Sequence, residues 1–380
     1  MGRKFKPRVI VGLSGGVDSA VAALLLLEQG FEVRGLFMKN WEDDDTEVHC
    51  SAANDIADAK RVASDLAIPL HFANFARQYK DRVFAHFLDE HQAGRTPNPD
   101  VLCNNHVKFQ AFPNYARRLG ADFIATGHYA RRVHGDADSL SLARGLDPNK
   151  DQSYFLHGLT QDQLRHSLFP LGGLTKPEVR AIAEEAGLHN FDRPDSTGIC
   201  FIGERDFKEF LNRYLPIRHG PIIDVEGRTL GTHPGVAYFT LGQRHGLGIG
   251  GHAASNGKPW YVAEKRLKEN ALVVVQGNEQ PLLYRDTLAA GNLHWVAGHA
   301  PRGQHTLSAK IRYRQADQSC LLVPGRTECE VHFASAQWAI TPGQSVVLYS
   351  GDICLGGGTI ERAWNRHEPG STAADWQAHG

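Results

Sequence analysis

Three short stretches of this 380-residue chain carry residue types that could do chemistry. The first is Gly12-Leu13-Ser14-Gly15-Gly16-Val17-Asp18-Ser19. The apolar run Val9–Leu13 reads as a buried strand and Ala20–Leu27 as a helix. The Ser-Gly-Gly turn between them leaves backbone N–H groups without partners at a helix N-terminus. Such donors, with the positive end of the helix dipole, form a ready-made anion site. Two glycines let the backbone approach a phosphate with no Cβ in the way. No lysine follows, so this is not the G-x-x-x-x-G-K-[ST] loop. The other two stretches each set a cysteine in turn-rich sequence. Cys103 follows Arg95-Thr96-Pro97-Asn98-Pro99-Asp100 and precedes a helix expected at Lys108–Leu119, while Cys200 sits in Asp195-Ser196-Thr197-Gly198-Ile199-Cys200-Phe201-Ile202. A thiol at a helix N-terminus has its pKa lowered and its thiolate fraction raised. By residue type alone each cysteine is more often a small buried hydrophobe than a nucleophile. Asp100 is either an acid or base or an Asp bonding its own turn.

The elements that must position these stretches are legible in the periodicity. Strand-like runs at Val9–Leu13, Glu32–Phe37, Leu70–Phe75 and Asp122–Thr126 alternate with helical patterns at Ala20–Gln29, Asp55–Leu66, Tyr79–His91 and Lys108–Leu119. That alternation predicts βαβ units and a parallel sheet, with ligands bound beyond the carboxyl ends of the strands. The turn at Gly12–Ser19, Met38 and Gly127-His128 then line one crevice. Thr175 and Glu178 form a capping box for a helix over Lys176–Ala186, and Arg205–Leu215 predicts another. Pro216 and Gly220-Pro221 mark a boundary. Beyond it, short strand-like runs (Ala271–Val275, Thr306–Tyr313, Glu330–Phe333, Ser345–Tyr349) recur between turn signals. The expected fold class is therefore an α/β N-terminal domain (1–215), a small β-rich central module (216–288) and a C-terminal β-barrel (289–365), with a frayed tail (366–380).

Composition narrows the function classes. The chain is 42% hydrophobic and 22% charged, with net charge −1, so a polyanion would have to be held by local basic clusters. Such clusters occur at Arg117-Arg118, Arg131-Arg132, Lys150, and Lys310, Arg312 and Arg314, the last three expected on one face of a strand. No apolar run reaches about 18 residues, and the basic start runs into a strand rather than a signal-peptide core; a cytoplasmic protein with no membrane partner is expected. Six cysteines, at 50, 103, 200, 320, 329 and 354, form no C-x-x-C pair. This argues against a disulfide framework and against a ribbon-type zinc site. Cys50, Cys320, Cys329 and Cys354 read as structural, and Glu42-Asp43-Asp44-Asp45 as a solvated loop.

The S-G-G-x-D-S pattern resembles the pyrophosphate loop of enzymes that split ATP into AMP and pyrophosphate. Six further blocks follow in order: T-P-N-P-D-V-L-C-N with Lys108-Phe109; Ala125-Thr126-Gly127-His128-Tyr129-Ala130-Arg131; Lys150-Asp151-Gln152-Ser153-Tyr154-Phe155-Leu156; D-S-T-G-I-C-F-I-G-E-R; Gly242-Gln243-Arg244-His245-Gly246; and Arg312-Tyr313 with the Thr341–Gln344 turn. Together they make the chain similar to the bacterial tRNA-specific 2-thiouridylase family, within the adenine nucleotide alpha hydrolase-like fold. The resemblance implies a tRNA-uridine 2-sulfurtransferase that replaces the wobble-uridine C2 oxygen with sulfur. It implies ATP and Mg²⁺ as cofactors, with Gly12, Leu13, Ser14, Gly15, Gly16, Val17, Asp18, Ser19, Met38 and Gly127 binding ATP. It implies a persulfide on Cys200, delivered by a persulfide-carrying donor protein, with Cys103 as second thiol and a Cys103–Cys200 disulfide left behind. Direct persulfide attack and hydrosulfide release both fit. Asn98, Pro99, Asp100, His128, Lys150, Asp151, Gln152, Arg312, Tyr313 and Gln344 are implied as tRNA contacts. A small-metabolite synthetase, a tRNA ligase and a nucleotide-sensing RNA-binding protein share the loop, but none needs paired loop cysteines.

Overall fold

The computed structural model describes residues 6–42, 53–135, 139–195, 207–250, 257–301 and 306–366. Cys200, Cys50 and the 366–380 tail beyond Arg366 lie outside them. The N-terminal part is built on β1 (Arg8–Gly12), β2 (Glu32–Lys39), β3 (Leu70–Asn74), β4 (Phe123–Ala125) and, after the hairpin described below, β7 (Ser167–Leu168). They form a parallel sheet in the order β3-β2-β1-β4-β7. In β1, Val9 and Val11 join the apolar cluster on one face of the sheet and Ile10 joins the cluster on the other; all three are fully buried. A central parallel strand covered on both faces needs such a continuous apolar run. Helix α1 (Val17–Glu28) packs its alanines, Val21 and Leu26 into the first cluster, together with Val179 and Ala183 of the helix Lys176–Glu185. Burial of each large aliphatic side chain there contributes about 1.5–3 kcal/mol.

Two elements escaped the periodicity. β5 (Ala130–His134) and β6 (Leu140–Arg144) form an antiparallel hairpin. The expected helix Lys108–Leu119 is the end of a longer helical run that begins at Pro99, as Pro99–Cys103, a π-helical stretch Asn104–Ala111, and Phe112–Arg118. Asn98 is its N-cap and Pro99 its first residue, a favourable start.

The central module is a four-stranded sheet of Trp260–Arg266, Ala271–Gln276, Gly220–Ile223 and Thr229–His233. Beyond it, six antiparallel strands from Tyr284–Trp295 to Ile353–Trp364 form a barrel, closed where the last pairs with the first. The hairpin of the N-terminal part extends this barrel sheet: Ile353 and Cys354 pair with Ala143 and Leu142 of β6. One apolar cluster runs through all three parts, from Phe84 and Phe112 to Ile222 and Val262 of the central module and Val347 and Tyr349 of the barrel. Among the described residues no helix is long and apolar enough to cross a membrane.

Candidate active site

The N-terminus of α1 opens directly from β1, with Gly16 as N-cap and, among the described residues, no side chain capping it. The loop braces itself instead. The Ser14 N–H donates to Ser19 Oγ (3.2 Å), and that hydroxyl donates to the Gly16 carbonyl (3.0 Å). From outside, Asn190 Nδ2 (2.8 Å) and Arg193 Nη1 (3.2 Å) donate to the Gly15 carbonyl, and Arg193 is fixed in turn by Asp55 and Asp58. A rigid N-terminus with open donors is what binding of a phosphate chain requires. Met38, at the end of β2, lies over Gly12: a Cβ there would meet its methyl at 3.2 Å. Gly127, after β4, lies against the turn itself, where a Cβ would meet Asp18 C at 2.8 Å and Ser19 N at 2.9 Å. The residues expected around ATP therefore share one crevice at the carboxyl ends of β1, β2 and β4.

Asp18 anchors a charge network that the motifs did not announce. Its Oδ1 accepts from the Tyr129 hydroxyl (2.8 Å) and from Lys176 Nζ (2.6 Å), and Lys176 also pairs with Asp195 (2.7 Å). Lys150 is bonded to the same Asp195 carboxylate. Burial by itself would raise the Asp195 carboxyl, but bonds from Lys150 and Lys176 outweigh it and hold the group below its ordinary value. Lys176 is only 9% exposed. It is the first residue of a helix whose Thr175 N–H and hydroxyl both donate to Glu178 (2.7 and 2.8 Å). The capping box thus marked the helix, and its next residue is the cation beside the loop. Gln152 fixes Tyr129 by accepting its N–H at 3.0 Å and donating its own backbone N–H to the Tyr129 carbonyl at 2.8 Å.

Cys103 is fully buried. It lies at the end of the first helical stretch, not ahead of the helix, because Asn98 and Pro99 start the helix one turn earlier. The expectation of a thiol at the very N-terminus is corrected accordingly: Asp100 occupies the first turn, and dipole influence falls off beyond that turn. Asn98 Oδ1 accepts the Val101 N–H (3.3 Å). The run 99–118 reaches His128 through Phe109, whose ring is 5.8 Å from that of His128. His128 shares a 2.8 Å hydrogen bond with Thr126, and burial pushes its imidazole well below its ordinary value, so it is neutral.

Several residues expected to contact tRNA have their polar atoms engaged within the protein. Asp151 is 5% exposed and accepts from Gly145 N, Ser153 N and Arg144. The Tyr313 ring packs tilted against Phe155, centroids 4.4 Å apart, and burial raises its hydroxyl to about 12. The expected cationic strand face of Lys310, Arg312 and Arg314 is not formed. The strand ends at Lys310, where Ile311 N donates to Gln315 and the chain turns. Arg312 turns inward, donating to the carbonyls of Leu241 (3.2 Å) and Ala339 (2.9 Å), while Lys310 pairs loosely with Asp317 and Arg314 is exposed. Arg131, Arg132 and Arg117 are likewise engaged, with Asp352, with the carbonyls of Leu164, Arg165 and Ser167, and with Asp162. Arg118 is exposed.

Family models match along the chain: a tRNA methyl transferase HUP domain over 7–204, a tRNA methyl transferase PRC-barrel domain over 208–276 and an aminomethyltransferase beta-barrel domain over 285–360. A protein of Methylococcus capsulatus named tRNA-specific 2-thiouridylase MnmA is 59% identical over 95% of this chain and 98% of its own. The chain belongs to the tRNA-specific 2-thiouridylase family. Its namesake in Marinobacter nauticus is 55% identical over 95% of this chain and 93% of its own. A solved 4-thiouridine synthetase–RNA complex with bound ATP is a looser likeness: TM-score 0.34 and 18% identity, covering 55% of this chain and 49% of that one. Family membership covers all three parts of the chain, the parallel-sheet part and the two β-structured parts that follow it.

Proposed function

We propose that this chain is an ATP-dependent tRNA-uridine 2-sulfurtransferase of the cytoplasm, using Cys103 and Cys200 as its thiols. The observation that carries the proposal is the contact of Phe109, on the helical run that bears Cys103, with His128 next to Gly127, in a chain that matches its family nearly end to end. The uracil C2 oxygen is a poor leaving group, and adenylation makes it a good one. The residues present fit ATP: the N–H groups at the start of α1 face the phosphates, while Met38 and Gly127 bound the nucleotide. Mg²⁺ would neutralise phosphate charge as pyrophosphate leaves. Asp18 is the one carboxylate of the turn, and no metal-holding group of three or more His, Cys, Asp or Glu occurs among the described residues, so the ion would travel with ATP rather than in a protein cage.

Sulfur then arrives as a Cys200 persulfide from a donor protein. Its terminal sulfur bonds to C2 and AMP leaves with the oxygen. The Cys103 thiolate next attacks Cys200 Sγ, breaking the S–S bond of the adduct. 2-Thiouridine is released, a Cys103–Cys200 disulfide remains, and a thiol reductant must reset the pair. Asp100, in the first turn of that helix, would exchange a proton with the base. An unstacked anticodon-loop uridine is the substrate such a recessed thiol could reach. The test is mass spectrometry of tRNA nucleosides after incubation with ATP, Mg²⁺ and a persulfide donor. Wild type should yield 2-thiouridine, and Cys103→Ser should yield none while still releasing pyrophosphate. Thiolation at the wild-type rate by Cys103→Ser would remove Cys103 from the mechanism.

A further inference from the structure

We propose that the barrel turn 341–344 is a positioning device for the catalytic turn 96–98, with Gln344 as the positioning residue. The inference rests on the proposed function in one respect, that the helix begun by Asn98 and bearing Asp100 and Cys103 does the chemistry. Gln344 Nε2 donates to the carbonyls of both Thr96 (2.8 Å) and Pro97 (3.2 Å). The Thr96 N–H donates to the Pro342 carbonyl (2.9 Å), and its hydroxyl meets that of Thr240 in the central module at 3.2 Å. All the polar groups of Thr96 are therefore held by parts of the chain other than its own domain. The two turns lie backbone on backbone: a Cβ on Gly343, whose φ is +92°, would meet Thr96 N, C and O each at 2.9 Å. One residue further on, the buried Tyr154 hydroxyl donates to the Ser345 carbonyl (2.9 Å).

The barrel turn is itself pinned. Arg312 Nη2 reaches Ala339 O (2.9 Å), Thr341 Oγ1 (3.3 Å) and Leu241 O (3.2 Å), and its guanidinium lies 5.0 Å over the Trp338 ring. From the central module, Lys265 Nζ donates to the Gly94 carbonyl (2.9 Å). Segment 94–98 is thus registered by the barrel and the central module at once. Displacements of about 1 Å at a catalytic group suffice to cost two orders of magnitude in rate. The geometry gives Gln344 a role in setting where Asp100 and Cys103 stand.

Full-length Gln344→Met keeps the side-chain volume and removes both donors; Gln344→Glu sets a carboxylate against two carbonyls. Three readouts are taken: hydrogen exchange of the peptide spanning 94–103, tRNA affinity by filter binding, and the single-turnover thiolation rate at saturating tRNA and ATP. We expect exchange at least tenfold faster in that peptide and a thiolation rate ten- to hundredfold lower, with tRNA affinity within twofold of wild type. Unchanged exchange and rate in both variants would overturn the inference. So would weakened tRNA binding with an unchanged rate at saturation, which would make Gln344 a direct tRNA contact. If the wild type makes no 2-thiouridine, the proposed function fails, and the exchange measurement still decides whether Gln344 holds the turn.

Discussion

Replacing Gly127 with alanine asks whether the crevice at the start of α1 is the ATP site. The new Cβ would sit 2.8 Å from Asp18 C, 2.9 Å from Ser19 N and 3.0 Å from Asp18 Cβ, all of them in the first turn of α1. Favourable carbon contacts begin near 3.5 Å, so the turn must retreat by roughly half an ångström. Backbone cannot rotate aside as a side chain can, and overpacking of this kind costs about 1–3 kcal/mol. Without nucleotide, the loop relieves the strain by moving. With nucleotide it must return, so the strain is charged against binding, and the ATP dissociation constant should rise about 5- to 150-fold. Isothermal titration with ATP measures this directly, and circular dichroism checks that the variant is folded. A folded Gly127→Ala protein that binds ATP within twofold of wild type would show that ATP does not use this turn.

Lys176→Met should leave Asp18 and Asp195 as facing carboxylates. Losing one partner of a buried pair costs 3–5 kcal/mol; with both acids about a third exposed, we expect about 2 kcal/mol in a denaturant midpoint, and unaltered stability with unaltered ATP binding would set the network aside. Arg312→Ala removes three charge-assisted bonds and should cost on the order of 2–4 kcal/mol, while the salt dependence of tRNA binding stays as in wild type. A slope reduced by about one contact, at unchanged stability, would return Arg312 to the tRNA interface. Burial pushes Lys265 down to about 8, and neighbouring His91 down to about 4, so His91 is neutral throughout the relevant range. Between about pH 8 and the ordinary lysine value near 10.5, the unfolded chain holds a proton that the folded one has lost. The contribution of Lys265 to stability should therefore rise with pH there, by about 1.4 kcal/mol per pH unit at most. Denaturation of wild type and Lys265→Met across that window checks it, and parallel pH profiles would refute it.

The parts legible from sequence were those whose local signal and tertiary role coincide. β1 reads as apolar because both its faces are covered, and the Ser-Gly-Gly stretch reads as a strand-to-helix turn because its geometry is local. The hairpin β5–β6 was missed because Ala130-Arg131-Arg132-Val133-His134 is polar on three of its five positions and gains its place only from a barrel strand two hundred residues away. Lys176 was missed for the same reason: its neighbours Asp18 and Asp195 are distant in sequence. Arg312 shows the opposite error. Alternating cations looked like an exposed strand face, but the strand stops at Lys310, and buried carbonyls of Leu241 and Ala339 needed a donor.

The shared sheet between β6 and the last barrel strand sets a timetable for the chain as it is made. Residues 140–144 leave the ribosome early, with one edge paired to β5, while the other edge has no partner until Ile353 and Cys354 follow. At translation rates of about 5–20 residues per second, that edge waits for roughly 10–40 s. An unpaired strand edge is a template for foreign strands, so the nascent N-terminal part is exposed to misassembly over this interval. A chain that stops before Ile353 leaves that hairpin edge open to other molecules.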